Sequence, residues 1–413
     1  MADIGSTAGG MNAPGPAPIV LDFAQRGQPR AAADDAPLPH RHAIRFSGSG
    51  SEYFRIWIVN LLLILVTLSL YYPWAKVRKL RYFHTNTQVA GHALDFHGEP
   101  LKMLRGYLLV LGLAGAYALA GEVSPIAQSL ALLVLAVLWP ALWRASLQFR
   151  LGNTSWRGLR MQFTGSMGGA YGALLLPWVA FALIGGALGF MAGAAAGGGL
   201  LAVLLPVAIM LGVYGLIPYF WLRLKRYQHG HYAYGQIQTS LDARVGATYG
   251  VFVRTAGVAF LAFLVAGLCF LLGLMVFGGL GGGDPRAFGA AILAFAPLVA
   301  LLFVLAQVLP RAYATSRLQN LLWSGTGSED IRFKSRVGFG ALARLLLKNW
   351  LLVILTLGLY WPWAAIAVAR LRLEAVSLRT RRPLDELSAG ARARSGDAAG
   401  DAAGDVFGID LGL

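Results

Sequence analysis

Acidic residues are scarce in this chain, cysteine is almost absent, and charge of either sign is thin. Of 413 residues, 19 are Asp or Glu against 35 Lys or Arg, and 13% are charged, about half the share of a soluble globular protein. An apolar fraction of 57% and a mean hydropathy of +0.59 complete a membrane composition. The single cysteine, Cys269, excludes an intrachain disulfide. No Asp or Glu stands at the centre of an apolar run, because Glu122 and Asp284 fall in the links between runs. Carboxylates within the bilayer mark proton relays and ion-coupled carriers. Their lack argues against a proton-coupled transporter and leaves uncoupled permeation open. HExxH, P-loop and Gly-x-Ser-x-Gly patterns are missing, so the chain reads as a non-enzyme with no cofactor. Met1 to His40 is rich in Ala, Pro and Gly and lacks the apolar core of a signal peptide. The net charge of +16 is scattered over many short loops. That distribution fits Lys and Arg facing anionic membrane lipids and disfavours a nucleic-acid partner.

What is present is a repeat. A proline is followed 23 positions later by the end of a short alternating segment in Pro73 to Phe96, Pro140 to Phe163, Pro218 to Leu241 and Pro310 to Phe333. Phe46 supplies an anchor without an upstream proline, and Pro362 a proline without a clear anchor downstream. Constant connectors between variable apolar inserts predict five internal repeat units. The anchors, such as Ile44-Arg45-Phe46 and Leu94-Asp95-Phe96, alternate with the strand period. They predict short cytoplasmic β-strands, pairing in parallel with membrane hairpins as crossovers. Gly48, Gly98 and Gly165 sit two residues after their anchors and suit a turn.

Three inserts hold paired apolar runs: Leu104–Ala120 with Ile126–Trp143, Ala170–Ala196 with Leu200–Trp221, and Val251–Leu280 with Ala287–Leu309. Each is near or above the ~20 residues that span a bilayer. The connectors are basic and the links within each pair are not, which places the connectors and both termini in the cytoplasm. The first and last inserts hold one run each, yet both tails are basic. They either re-enter, the favoured reading, or cross against the charge rule; irregular backbone at membrane depth needs protein around it. The expectation is a polytopic α-helical membrane protein with about six full transmembrane helices plus two short re-entrant or single-span end segments. Residues 43–383 would form the repeat-built membrane domain, 1–42 a disordered cytoplasmic tail, and 384–413 a disordered C-terminal tail.

The two end inserts match each other at Asn60/Asn349, Thr67/Thr356, Tyr71/Tyr360, Pro73/Pro362 and Trp74/Trp363. The run Thr-Leu-Ser-Leu-Tyr-Tyr-Pro-Trp-Ala-Lys-Val-Arg (67–78), with Tyr82-Phe83 and Asn86-Thr87 after it, resembles the YjgN family of bacterial inner-membrane proteins, a domain of unknown function. The resemblance extends over Ile44 to Pro383. It implies a multi-pass protein of the bacterial inner membrane with no established activity. The last unit departs from the pattern, because Ala365-Ile366-Ala367 replaces Lys76-Val77-Arg78.

Asn60 and Asn349 form a candidate intramembrane polar pair, lining a symmetric path or bonding between helices. Tyr71, Pro73, Trp74, Tyr360, Pro362 and Trp363 form an interfacial aromatic and turn motif. Lys76, Arg78, Lys79 and Arg81 form a basic cytoplasmic rim. Gly185, Gly189, Gly193 and Gly197 recur every four residues, a stripe for close helix packing within one subunit or in an oligomer. His84, His92, Asp95, His97 and Glu99, with His229 and His231, lack a metal-ligand spacing and read as solvated polar faces, so no metal is expected. The best functional reading is a permeation path or lipid-handling cavity. The alternative is a scaffold that recruits a membrane protein partner through its basic connectors.

Overall fold

The computed structural model describes residues 40–194, 200–280 and 285–389. In chain order the elements are β1 (His40–Phe46), α1 (Gly50–Val66), α2 (Tyr72–Thr85), β2 (Thr87–Val89), β3 (His92–Phe96), α3 (Pro100–Val123), α4 (Pro125–Gly152), β4 (Thr154–Trp156), β5 (Leu159–Phe163), α5 (Met167–Ala194) and α6 (Leu200–His229). They continue with β6 (Tyr232–Tyr234), β7 (Ile237–Gln238), β8 (Ser240–Leu241), α7 (Val245–Leu280), α8 (Pro285–Gly325), β9 (Thr326–Gly327), β10 (Ile331–Ser335), α9 (Phe339–Leu355), α10 (Trp361–Glu374) and β11 (Val376–Thr380). Six helices are long and apolar enough to cross a membrane, drawn from α3 through α8. No more than 17% of the residues in the most apolar stretch of any of them are buried. Their apolar surface faces outward and requires lipid, so the chain is a polytopic helical membrane protein.

The strands form one sheet in the order β7-β6-β5-β4-β3-β2-β1-β11-β10-β9-β8. β7 and β8 are consecutive in the chain and separated only by Thr239. The two ends of the sheet are therefore one stretch of backbone, and the sheet closes on itself through it. Every pairing is antiparallel, which corrects the parallel arrangement expected from the anchors. β3, β5 and β10 are each the second strand of a hairpin whose first strand lies in the connector, and β8 follows β7, the second strand of the β6–β7 hairpin. The turns at Ala90-Gly91 and Arg157-Gly158 have positive φ at both central residues, the twist that suits a two-residue hairpin.

One backbone hydrogen bond recurs at five places around the closed sheet. Ser47 N donates to Asn86 O (3.0 Å), His97 N to Asn153 O (2.8 Å), Thr164 N to His231 O (3.0 Å), Asp242 N to Gly325 O (2.8 Å) and Arg336 N to Ala375 O (3.0 Å). These bonds set the register between units. They place Phe46, Phe96, Phe163, Leu241 and Ser335 in equivalent positions, so Ser335, not Phe333, corresponds to the phenylalanine anchors. The buried Ser335 hydroxyl donates to Asn320 Oδ1 at 2.9 Å, and a polar bond replaces ring packing there. The same register puts Ala312, not Pro310, level with Pro73, Pro140, Pro218 and Pro362.

Each phenylalanine anchor is packed between helices. Phe96 meets Val77, Met103 and Phe149, and Phe163 meets Leu147, Ala170, Ala173 and Tyr227. The glycine two residues on makes room for the ring: a Cβ at Gly48 would lie 2.7 Å from the Phe46 ring, and one at Gly98 2.5 Å from the Phe96 ring. Close approach, rather than a turn, explains the Phe-x-Gly spacing. The prolines divide into two kinds. Pro73 and Pro362 open α2 and α10, where a missing N–H costs nothing. Pro140, Pro218 and Pro310 lie inside α4, α6 and α8, so the expected break at the proline is found only in the end units.

The face of the closed sheet towards the hairpin turns is filled by Trp156 and Leu378 with Val89, Leu94, Met161, Tyr234, Ile237, Ile331 and Phe333. Residues 384–389 form a final helical turn. Its Leu384 and Leu387 join this cluster, and Asp385 pairs with Arg157. The described residues thus carry regular structure at His40 and again at residues 384–389. Two leucines three apart supply the apolar face that covers the cluster.

Candidate functional site

The helices pack in a ring of their own. α2 meets α3, α4 meets α5, α6 meets α7, α8 meets α9, and α10 meets α1, where Phe54 stacks on Trp363 at 4.8 Å. The second helices also touch one another near the sheet. Val77 (α2) meets Phe149 (α4), Trp143 (α4) lies 5.8 Å from Tyr227 (α6), and His229 (α6) lies 5.5 Å from Trp323 (α8). Arg372 Nε (α10) donates to Gln319 Oε1 (α8) at 2.6 Å, and Ile366 (α10) packs with Tyr82 and Phe83 of α2, completing the circle.

Four cations stand on this inner circle: Lys76, Arg150, Lys225 and Arg372. The Arg150 guanidinium repels the Lys76 ammonium on one side and the Lys225 ammonium on the other. Burial, and then Arg150, hold Lys76 below the usual lysine value. Crowding by protein lowers the Arg372 guanidinium in the same way, although its side chain stays accessible. Beside them, burial pushes the Tyr232 hydroxyl up to about 12, so it stays neutral and able to donate. None of the four cations takes part in the ion pairs Lys102–Glu99, Arg157–Asp385 and Arg382–Asp330. Their partners are neutral: Lys225 Nζ donates to Gln228 Oε1 (2.8 Å) and Arg150 Nε to Ser146 O (3.3 Å). Unneutralised cations crowded together favour an anion over a cation at this level.

The expected basic rim divides. Lys76 joins the inner group, while Arg78, Lys79 and Arg81 are exposed, with Arg78 over the Tyr71 ring at 5.9 Å. From the sequence, Arg150 and Lys225 count only as connector charge and Arg372 only as charge in the C-terminal tail. Arg150 and Arg372 both stand three residues before the carbonyl that accepts the recurring bond, a spacing visible only once that register is known.

The two end inserts are helical pairs of 17 and 14 residues, α1–α2 and α9–α10, and their ends meet at the sheet through the Ser47 and Arg336 bonds. At 1.5 Å per residue, 17 residues reach about 25 Å, against about 60 Å for the 41-residue α8. Because α10 packs on α1, the two short pairs are neighbours and leave one low side in the helical ring. Their tips are alike. Thr67 Oγ1 donates to Leu63 O (2.7 Å) and accepts from Tyr71 N (3.0 Å), and Thr356 does the same with Leu352 and Tyr360 at equal distances. Ser69 N donates to Ile64 O and Gly358 N to Val353 O, each at 2.7 Å, so these turn N–H groups are satisfied without water. The tip leucines Leu68 and Leu357 are 89% and 95% exposed.

Asn60 and Asn349 are buried at matching places in α1 and α9. Asn349 Nδ2 donates to Ala364 O at 3.4 Å, within its own pair, and neither Oδ1 accepts a hydrogen bond. In the aromatic motif, Tyr71 stacks on Trp74 and Tyr360 on Trp363, both at 5.9 Å, and Pro73 and Pro362 are fully buried. At Gly185 and Gly189 a Cβ would meet nothing within 4 Å. No described side chain packs on that part of the stripe; only the backbone is described at Gly193, and Gly197 lies outside the described residues. The histidines are not all solvated. His84 Nδ1 lies 2.7 Å from Leu80 O, His97 Nε2 lies 2.7 Å from Ser155 Oγ, and His229 is buried with Nδ1 3.0 Å from Thr326 Oγ1. Among the described residues no group of three His, Cys, Asp or Glu side chains is placed to hold a metal.

Residues 41–406 match the family model described as a bacterial protein of unknown function (DUF898). The chain is 28% identical over 351 residues to the inner membrane protein YjgN of Salmonella typhimurium, covering 79% of this chain and 86% of that one. It is 30% identical over 150 residues to the YjgN protein of Escherichia coli O157:H7, covering 34% of each chain. No solved structure matches. On the match over residues 41–406, the chain belongs to the DUF898 family of bacterial proteins of unknown function.

Proposed function

We propose that the protein is a fivefold internal duplication in the bacterial inner membrane, forming a passage through which small anions permeate without proton coupling. The observation that carries this reading is the girdle of Lys76, Arg150, Lys225 and Arg372, shared by four second helices and without carboxylate partners among the described residues. Cation rings select anions in pores. The closed sheet lies on the cytoplasmic side with both termini, as the basic connectors suggest. The two short helical pairs re-enter there, dipping their exposed leucine tips into the bilayer. The low side they create supports a second reading, in which lipid reaches the passage laterally and the protein handles lipid.

The test is purified protein in vesicles. Anion flux should exceed that of empty vesicles, fall in Arg150→Gln with Lys225→Gln, and exceed cation flux. Lipid transfer without ion flux would favour the second reading. A stoichiometric partner lost on charge reversal of the exposed Arg78 and Arg81 would favour a scaffold. If flux and lipid transfer both equal those of empty vesicles, the passage reading fails. Cysteines placed at His92 and Gln236 in a Cys269→Ser background should label from the same face; labelling from opposite faces refutes the duplicated plan.

A further inference from the structure

The closed sheet has five seams between units, and one is chemically unlike the rest. Where the first and last strands meet, Arg41, Lys334, Arg336 and Arg379 line a cavity of about 230 Å³ with Ser377, Ala375 and Glu374. Arg41 pairs in register with Arg379, and Lys334 with Ser377. Leu378 and Phe333, one residue away, join the apolar cluster that the final helical turn covers, so strand alternation puts the cations on the opposite, outer face. The site is therefore separate from the inner girdle and does not depend on the passage reading.

Four positive charges converge there on one carboxylate, Glu374, and Glu374 Oε1 already accepts the Phe46 N–H at 3.4 Å. None of the four cations forms an ion pair among the described residues. Arg379 Nε is buried with no hydrogen-bond acceptor. Arg336, Arg379 and Arg41 together hold the Lys334 ammonium below its usual value. Such a cluster is repulsive until an anion enters. It is also not a by-product of the repeat. The recurring backbone bond puts Ser47, His97, Thr164 and Asp242 where Arg336 stands, and two residues before them are Arg45, Asp95, Gln162 and Ser240 in place of Lys334. The cavity has room for roughly seven waters, more than a monatomic anion fills. Guanidinium forks match the paired oxygens of a phosphoryl group.

We propose that this seam binds a phosphate-bearing anion, held by Arg41, Lys334, Arg336 and Arg379. The same chemistry is offered by free phosphate and by a lipid phosphomonoester headgroup. Two probes separate them on full-length protein in mild detergent: equilibrium binding of radiolabelled inorganic phosphate, and retention of phosphatidic acid over phosphatidylcholine by native mass spectrometry. Arg379→Gln should weaken binding of the productive probe about tenfold or more. Arg41→Gln, at an exposed position, should weaken it measurably, whereas Arg105→Gln on α3 should not. Phosphate binding with this pattern assigns a small anion, and phosphatidic acid retention alone assigns a headgroup. Binding of neither probe, or equal binding by all variants, overturns the proposal.

Discussion

Replacing both buried asparagines by leucine should leave the protein as stable as before or more so. Asn60 is 6% and Asn349 4% exposed, and each keeps a carbonyl oxygen with no donor. An unmet buried acceptor costs about 1–3 kcal/mol. Leucine, close to asparagine in shape, removes that cost. The loss is the long 3.4 Å bond from Asn349 Nδ2 to Ala364 O, at most about 1 kcal/mol. The net expectation for Asn349→Leu is therefore between neutrality and a gain of about 2 kcal/mol, and Asn60→Leu should follow. Thermal unfolding of the purified protein in detergent, read by circular dichroism, measures this. Asn349→Asp serves as the contrast and should destabilise, because it buries a charge with no partner. If Asn349→Leu lowers stability by more than about 1 kcal/mol, the amide acts as structural glue and the orphan-carbonyl reasoning is wrong. If stability holds while vesicle flux falls, the amides are kept for what passes them.

Three other outcomes follow from the packing. Cutting the chain after Pro383 removes Leu384 and Leu387 from the apolar cluster; each buried leucine is worth about 2–5 kcal/mol, and a cysteine at Ile237 in the Cys269→Ser background should become reactive to a polar maleimide, whereas an unchanged rate would show that the turn does not cover the cluster. A Cβ at Gly50 would run into the Trp363 indole where α1 meets α10, so Gly50→Val should cost about 1–3 kcal/mol, and Trp363→Ala should relieve most of the added strain in a double-mutant cycle. Lys334 is lowered by Arg336, Arg379 and Arg41, so the unfolded chain holds its proton more tightly. Stability should rise with pH between the depressed value and 10.5, and Lys334→Gln should remove that part of the slope; an unchanged slope refutes the cluster's repulsion.

Composition and apolar run length were enough to establish the membrane class and six spanning helices, because the bilayer forces a helix to be long and apolar before any packing is known. The matched Asn-Thr-Tyr-Pro-Trp positions also announced two equivalent end inserts, and the structure gives them equal tip geometry down to the threonine bonds. Strand pairing was not legible. Thr87–Val89 and Thr154–Trp156 are three residues each, too short to show alternation, so the hairpins were missed and a parallel sheet was inferred. Nor could constant spacing reveal the two-residue shift that replaces Phe333 with Ser335. A buried serine answered by Asn320 satisfies the position as well as a phenyl ring does, and only the backbone register tells them apart. The inner girdle and the basic seam depend on closure. Lys76, Arg150, Lys225 and Arg372 are distant in sequence, as are Arg41 and Arg379, and they become neighbours because β3 pairs with β4, β5 with β6 and β1 with β11.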